Sequence, residues 1–203
     1  MERETMYTQP PLFSEILPNL FMGGTDDADV IHAPARIHKY RDDLPFDSIV
    51  TMYAWAQPAD WNIQEFRYGF PDSDILDVDL VRLREVVEFG YAKWKSGDRV
   101  LIRCQAGLNR SGLVMALILI KDGYEPLTAI SLIRAKRHAD ALFNESYSNW
   151  LKVSGYSFLS HQQSRRGLIS APVTDRNWVS IIKTVCNDVT LKMRSRKGIE
   201  RTG

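Results

Sequence analysis

The chain has 203 residues with 44% hydrophobic and 25% charged side chains, which suits one globular domain with a proper core. Its net charge of +1 gives no sign of a nucleic-acid or membrane partner, and its two cysteines are too few for a disulfide framework. The N-terminus lacks the apolar stretch of a secretory signal, and the longest apolar run, Leu113 to Ile120, is too short to cross a bilayer, so we expect a cytoplasmic protein without membrane contact.

Strand and helix patterns alternate along the first half of the chain. Residues 1–13 have no such pattern and are expected to form a mobile N-terminal lead-in. An edge strand is predicted from Ile16 to Met22, and a short helix from Ala33 to Arg41. Two further strands are predicted, from Phe46 to Met52 and from Gln64 to Phe70.

A polar loop, Asp72-Ser73-Asp74, separates the last of these strands from a long helix. The helix is predicted from about Asp77 to Lys95, because its apolar residues recur at intervals of three and four and so form one stripe. These residues are Leu80, Leu83, Val87, Tyr91 and Trp94. Gly97 is expected to end the helix.

The stretch from Cys104 to Gly112 lies between two apolar runs. Val100 to Ile102 predicts a buried strand, and Leu113 to Ile120, which contains no polar residue, predicts a buried helix. The cysteine therefore follows a strand and Arg110 opens a helix, with one glycine, Gly107, between them. A strand, a tight loop and a helix N-terminus form a cradle for phosphate, because loop N–H groups point inward and the helix dipole adds partial positive charge.

Two more helices are predicted after this cradle. One opens at Pro126 and the other is capped by Asn144. On the first, Arg134, Lys136 and Arg137 are expected to form a solvated face that could attract an acidic phosphopeptide. Strands that alternate with helices predict an α/β fold, with a central, mostly parallel twisted sheet flanked by helices and a strand–phosphate loop–helix unit.

Positive charge is concentrated at the C-terminal end of the chain. Residues 161–203 carry nine Lys and Arg against three Asp and Glu. Residues 160–203 are predicted to form a basic linker and an amphipathic helix, outside a folded domain that spans residues 14–159. The basic charge would suit a weakly bound acidic or nucleic-acid partner.

The residues of the cradle suit nucleophilic chemistry on phosphate. A free cysteine has a pKa of about 8.5, and the loop amides, the helix N-terminus and the Arg110 guanidinium would each favour the thiolate of Cys104. Arg110 can hold two phosphate oxygens in a fork, Gly107 permits a left-handed backbone, and Ser111 can hydrogen-bond the sulfur. These residue types predict phosphoryl transfer to the cysteine, followed by hydrolysis of the phosphocysteine by water.

This reaction needs a general acid that protonates the leaving oxygen. Asp72 is the first candidate and Asp74 the second, because both lie in the polar loop between a strand and a helix. Asp77 and Asp79 are expected to cap or begin that helix. The four histidines show no metal-ligand spacing, and neither a metal nor a cofactor is predicted.

The pattern Cys104-x5-Arg110-Ser111 resembles the signature of the cysteine-dependent protein tyrosine phosphatases, and its setting is most similar to their compact dual-specificity branch. The resemblance covers roughly residues 15 to 158, and Asp72 lies 32 residues before Cys104, which matches the family's acid-loop spacing. It implies that Cys104 is the nucleophile, Arg110 the phosphate clamp, Ser111 the thiolate helper and Asp72 the general acid. The phosphate-binding loop would comprise Gln105, Ala106, Gly107, Leu108, Asn109 and Arg110.

The sequence departs from the family pattern at Arg103, where a histidine that helps to orient the cysteine is usual. The motif that builds a deep phosphotyrosine pocket in the larger branch is missing, which implies a shallower site. The uncharged Gln105, Leu108 and Asn109 disfavour phosphoinositides. We therefore expect a monomeric phosphatase that acts on phosphorylated protein, on phosphotyrosine and on phosphoserine or phosphothreonine.

Two alternatives stay open. The end of the loop, Asn109-Arg110-Ser111-Gly112, is similar to that of related enzymes that act on RNA 5′-phosphates, and the basic residues 161–203 would suit RNA. The second alternative is a phosphate-binding module without catalysis. It is disfavoured because candidates for the nucleophile, the clamp, the hydroxyl and the acid are all present.

Overall fold

The computed structural model describes residues 11–25 and 46–160, and these residues form one sheet with helices packed against it. The strands are β1 (Phe13–Leu17), β2 (Leu20–Gly23), β3 (Ser48–Thr51), β4 (Gln64–Arg67) and β5 (Val100–Arg103). The helices are α1 (Leu80–Lys95), α2 (Arg110–Lys121), α3 (Pro126–Lys136) and α4 (Glu145–Ser160), and a 3-10 turn spans Ile75–Asp77.

The sheet has the order β1-β2-β5-β3-β4, with only the β1–β2 pair antiparallel. This arrangement confirms the predicted mostly parallel α/β sheet. Since β2, β5 and β3 run parallel side by side, their carboxyl ends meet at one edge, which is where open α/β sheets place their ligand sites.

The single strand predicted from Ile16 to Met22 is wrong, because the chain forms a hairpin there. Leu17 pairs with Leu20, and the turn between them places Asn19 at φ 64°. Asparagine is one of the few residues that tolerate this left-handed conformation. The first strand also begins at Phe13, one residue inside the predicted lead-in.

Helix α1 begins at Leu80, the first residue of its apolar stripe and three residues after the predicted start at about Asp77. The Asp79 carboxylate caps it by accepting hydrogen bonds from the backbone N–H groups of Val81 and Arg82. Asp77 instead ends the 3-10 turn. Gly97, at φ 94°, follows the last turn of the helix as predicted.

Helix α2 is the centre of the core. Leu113 to Leu119 are all 0% exposed, as expected for a helix that is apolar on every side. The sheet lies against it on one side, and α1, α3 and α4 surround it on the others. The predicted buried helix is therefore confirmed, and its N-terminus is held rigidly beneath the edge where β5 ends.

The other face of the sheet carries a smaller cluster of buried apolar side chains. Its members are Phe21, Phe46, Ile49, Ile63 and Leu101. In the described part of the chain, no helix is long and apolar enough to cross a membrane. The helix predicted from Ala33 to Arg41 and the predictions for 161–203 lie outside the described residues.

Candidate active site

The loop Cys104–Asn109 connects β5 to α2, and backbone hydrogen bonds join its start to the ends of both neighbouring strands. The N–H of Met52, after β3, donates to the Arg103 carbonyl at 2.9 Å, and the N–H of Thr25, after β2, donates to the Gln105 carbonyl at 2.9 Å. The Cys104 N–H donates to the Gly23 carbonyl at 3.3 Å. The loop thus begins from a rigid base at the carboxyl edge of the sheet.

Gly107 lies where the loop passes close to the end of β2. Its φ is 69°, and a Cβ on it would lie 2.3 Å from the carbonyl carbon of Gly23 and 2.4 Å from the nitrogen of Gly24. No other residue fits there without moving the backbone, and the left-handed conformation adds a second reason. Gly107 therefore sets both the curvature of the loop and its distance from β2.

Cys104 and Ser111 face each other at the start of α2. The Cys104 thiol is 1% exposed, and its Sγ lies 3.3 Å from Ser111 Oγ. Ser111 is 0% exposed. The structure therefore makes the sulfur–hydroxyl contact that the sequence predicted, at a helix N-terminus that favours negative charge.

The Arg110 guanidinium is 8% exposed and is held by three different loops. Its Nη1 donates to the carbonyls of Met52 and Phe70, at 3.4 and 3.2 Å, and its Nη2 donates to Gln105 Oε1 at 3.5 Å. The ring of Tyr53 lies 5.5 Å from its Cζ. Its buried Nε has no acceptor among the described residues. A buried donor without a partner is costly, so this atom is poised for an acceptor that arrives with a ligand.

Of the two candidate acids, Asp72 is the one that lies against the phosphate loop. Its Oδ2 accepts from Asn109 Nδ2 at 3.1 Å, and its Oδ1 accepts from Asn144 Nδ2 at 3.0 Å. Asp74 caps the 3-10 turn instead, where its Oδ1 accepts from the Leu76 N–H at 2.9 Å and from Ser146 Oγ at 3.2 Å.

Tyr147 on α4 anchors the loop that carries Asp72. Its hydroxyl donates to the Pro71 carbonyl at 2.7 Å. Burial, followed by the negative charge of Asp72, raises the pKa of Tyr147 to about 12, so the hydroxyl stays a donor at any physiological pH. The sequence indicated that α4 is capped by Asn144. It did not indicate that α4 also holds the loop Asp72-Ser73-Asp74, called the acid loop below.

Arg137 lies in a different environment from the one that the sequence predicted. It was expected in a solvated helix face, but it is 5% exposed, and its Nε donates to the Gly107 carbonyl at 3.0 Å. Its Nη atoms donate to the carbonyls of Pro11 and Leu12 and to Ser14 Oγ. Burial lowers the pKa of Arg137, and the neighbouring Cys104 opposes that shift.

The helical spacing of α3 indicates a buried position for Arg137. It lies four residues after Ile133, which is 0% exposed, so it continues the buried stripe of the helix. A charged residue on a buried stripe needs polar partners. Here those partners are carbonyls, including one in the phosphate loop itself.

Arg103, at the position where the family usually has histidine, does not point toward Cys104. Successive strand side chains face opposite sides of a sheet, so Arg103 lies on the face of the smaller cluster. It is 0% exposed and donates to Thr51 Oγ1 at 2.8 Å, to the Gln57 carbonyl at 2.7 Å and to Glu65 Oε1 at 3.1 Å. It ties β5 to β3, to β4 and to the loop between them.

Glu65 is the negative partner in this network. Burial alone would raise the pKa of Glu65, but hydrogen bonds from Thr51, the Ala59 N–H and Arg103, with the charge of Arg67, outweigh that effect. They hold the pKa of Glu65 below its ordinary value of 4.5, so Glu65 is ionised and balances Arg103.

Within residues 11–25 and 46–160, no group of three or more His, Cys, Asp or Glu side chains is arranged to hold a metal ion. The site consists of a buried thiol, a hydroxyl in contact with it, a buried arginine with one unpaired donor, and a carboxylate on a second loop. Such a set can bind a phosphoryl group, attack it and protonate what leaves.

Comparison with known proteins agrees with this fold. No protein-family model matches the chain. A curated Dictyostelium discoideum relative, protein tyrosine phosphatase type IVA B, is 38% identical over 68 residues, which cover 33% of this chain and 39% of the relative. The match therefore spans well under half of that relative's length.

Solved structures match a larger part of the chain at lower identity. A mouse protein described as a dual specificity phosphatase, in complex with zinc tungstate, superposes with a TM-score of 0.60 at 21% identity, covering 80% of this chain and 97% of that one. Human DUSP28 gives a TM-score of 0.59 at 20% identity, covering 76% and 97%. The chain therefore has the fold that these dual-specificity phosphatases share.

Proposed function

We propose that the chain is a cysteine-dependent phosphatase that hydrolyses phosphomonoesters on proteins, at phosphotyrosine and at phosphoserine or phosphothreonine. The observation that carries this proposal is the Arg110 guanidinium, which is buried, held from several sides and left with an unpaired Nε in a loop that also contains Cys104. The fold, shared with dual-specificity phosphatases, supports the same reaction.

The first chemical step transfers the phosphoryl group to the enzyme. The Cys104 thiolate attacks phosphorus and forms an S–P bond while the bond from phosphorus to the leaving oxygen breaks. Asp72 gives its proton to that oxygen, so the product leaves as an alcohol or a phenol. Arg110 and the N-terminal amides of α2 bind the nonbridging oxygens, whose charge they stabilise.

The second step returns the enzyme to its starting state. Asp72, now a carboxylate, takes a proton from water as the water attacks phosphorus, and the S–P bond breaks to give inorganic phosphate. Ser111, whose Oγ lies 3.3 Å from Sγ, stabilises the sulfur as it leaves as a thiolate. The proton and the electron pairs balance over the two steps.

Asn109 bears on the alternative that the substrate is RNA. Its resemblance to the RNA-directed loop was one reason for that alternative, but both ends of its amide are engaged within the protein. Asn109 Nδ2 donates to Asp72 and Asn109 Oδ1 accepts from the Asn144 N–H at 3.0 Å. Asn109 thus has a use within the protein, and its presence in the loop is not by itself a sign of an RNA substrate. We expect the enzyme to act in the cytoplasm as a monomer.

A substrate panel tests the proposal. Wild-type protein and Cys104→Ser would be assayed with an aryl phosphate, phosphotyrosine and phosphoserine peptides, a phosphoinositide and 5′-triphosphate RNA. We expect wild-type turnover of the aryl phosphate and of phosphopeptides, and none by Cys104→Ser, which should still bind them. Turnover of the RNA alone would establish the RNA alternative, and phosphopeptide binding without turnover by the wild type would establish a binding module.

A further inference from the structure

Asn109 is the residue in the site whose contacts the reaction scheme above leaves unexplained. It precedes α2 at the N-cap position, where an asparagine side chain ordinarily accepts a hydrogen bond from the first turn of its helix. Here the side chain makes no cap bond. It is 3% exposed, and it turns away from its own helix toward two other segments.

One of these segments is the start of α4 and the other is the acid loop. Asn109 Oδ1 accepts from the backbone N–H of Asn144 at 3.0 Å, and Asn109 Nδ2 donates to Asp72 Oδ2 at 3.1 Å. Since a backbone N–H can only donate, it must face the amide oxygen. The NH2 group of Asn109 is therefore the part that faces Asp72.

Asn144 holds the second oxygen of Asp72 by the same logic. Its Oδ1 accepts from the backbone N–H of Tyr147 at 3.2 Å, which again directs the NH2 group elsewhere. That NH2 group donates to Asp72 Oδ1 at 3.0 Å and to the Ser73 carbonyl at 2.8 Å. Both oxygens of the Asp72 carboxylate thus accept hydrogen bonds from side-chain amides, and backbone N–H groups fix the orientation of those amides.

These hydrogen bonds to Asp72 have two consequences for the reaction. Amide NH2 groups only donate, so a proton on Asp72 must occupy one of the lone pairs that the two amides leave free. In addition, because Asn109 does not cap α2, its side chain does not compete with phosphate for the N–H groups of the first turn.

The geometry assigns Asn109 the role of a positioning residue, which holds the acid carboxylate over the phosphate loop and joins the two loops into one unit. This role rests on the proposed function, because it needs Asp72 to act as the acid. Asn109 contributes through Asp72, so its effect should grow with the substrate's need for an acid and disappear when Asp72 is removed.

A series of aryl phosphates with leaving groups of increasing pKa provides the test. We would measure kcat and KM for wild-type protein, Asn109→Ala, Asp72→Ala and the double variant. Asn109→Ala should lower kcat/KM, which reports the step in which the leaving group departs, at least tenfold more for the poorest leaving group than for the best. In the Asp72→Ala background, Asn109→Ala should change kcat/KM by less than about twofold, because nothing remains to be positioned.

Asn109→Asp is the sharpest single variant. It has the same shape and still accepts from the Asn144 N–H, but it places a carboxylate oxygen against Asp72 where the NH2 group was. The two carboxyl groups either repel each other or share one proton, and in both cases Asp72 loses the donor that holds it in place, so the leaving-group dependence should be at least as steep as that of Asn109→Ala. Ser73→Ala is the matched control, because the Ser73 hydroxyl binds Asp77 rather than Asp72, and it should keep the wild-type dependence.

A second measurement does not depend on turnover. Hydrogen exchange of the peptide that covers residues 72–77 should become at least tenfold faster in Asn109→Ala than in the wild type. Unchanged exchange would overturn the positioning role, even in a protein that turns over no substrate.

The outcomes separate this role from the proposed function. If Asp72→Ala steepens the leaving-group dependence and Asn109→Ala does not, the positioning role alone is wrong. Asn109 acts on the phosphate loop and not on the acid if Asn109→Ala weakens vanadate inhibition as much as it lowers kcat/KM. The same conclusion follows if the decrease in kcat/KM caused by Asn109→Ala adds fully to the decrease caused by Asp72→Ala. If Asp72→Ala itself has no such effect while Cys104→Ser abolishes turnover, the acid assignment in the proposed function is wrong, and the role of Asn109 falls with it.

Discussion

At the scale of single residues, the Arg110 guanidinium is held in place and yet keeps one buried donor without an acceptor among the described residues. Three hydrogen bonds from its two Nη atoms hold the guanidinium, and the nearby ring of Tyr53 limits its movement. The buried Nε is left for an acceptor that comes from outside. Preorganised donors of this kind stabilise charge without rearranging during the reaction.

Arg110→Lys tests this role of the guanidinium. A lysine keeps the positive charge, but its ammonium cannot form a fork with two oxygens or reach the carbonyls of Met52 and Phe70 in the same geometry. We expect kcat with an aryl phosphate to fall by about 10²–10³. Steady-state kinetics at fixed pH measure the effect, and near-normal values would contradict the clamp role.

At the scale of elements, one buried polar network joins three strands beneath the site. Arg103 on β5, Thr51 on β3 and Glu65 on β4 are linked by hydrogen bonds, and Arg67 adds a second positive charge at 3.0 Å from Glu65. The network also holds the β3–β4 loop, since Arg103 donates to the Gln57 carbonyl. Arg103 thus has a structural role on the opposite face of the sheet from Cys104.

Glu65→Gln should lower the free energy of unfolding by about 1–3 kcal/mol at pH 7, because it removes the charge that balances the buried Arg103. The effect should depend on pH in a defined direction. The folded-state pKa of Glu65 is lowered, so its contribution is fully present above 4.5 and is lost as the pH falls through the folded value.

Denaturant unfolding of the wild type and Glu65→Gln from pH 7 down to about pH 3 measures this dependence, and the gap between the two proteins should narrow at the acid end. Glu85→Gln is the control. Glu85 pairs with Arg82 on the exposed side of α1, where an ion pair contributes at most about 1 kcal/mol. A gap that stays constant with pH would contradict the assigned role of Glu65.

At the scale of the whole molecule, the described residues enclose α2 among themselves. The sheet and helices α1, α3 and α4 supply the contacts of α2, and α4 also carries the Tyr147 and Asn144 contacts to the acid loop. The buried side chains of α4, among them Leu151 and Phe158, belong to the same core cluster. The core and the candidate site therefore both depend on α4.

A chain truncated after Ser160 should fold and retain kcat/KM for an aryl phosphate within about threefold, because the described residues supply the contacts of α2 and of the site among themselves. A chain truncated after Asn144 should fail to fold, because it loses the buried face of α4. Thermal unfolding and aryl phosphatase activity measure both. Insoluble protein from the chain truncated after Ser160 would show that residues after 160 complete the core.

The sequence by itself determined the features that depend on neighbouring residues. The strand, the phosphate loop and the buried helix from Val100 to Ile120 follow from a local apolar pattern with one glycine in it, and the alternation of strands and helices predicted the α/β sheet. The hairpin at Asn19 was not predicted, because a short turn between two apolar segments hardly interrupts the alternation of apolar and polar residues, so the two strands resemble one.

Only the tertiary structure decided which distant side chains meet. It placed Asp72 against Asn109 and Asp74 in a local cap, although the two lie in the same polar loop. It buried Arg137 behind the phosphate loop and joined Arg103 to Glu65, which is 38 residues away. Such pairs are set by the packing of whole elements, in which each buried charge must find a partner, and no local periodicity contains that information.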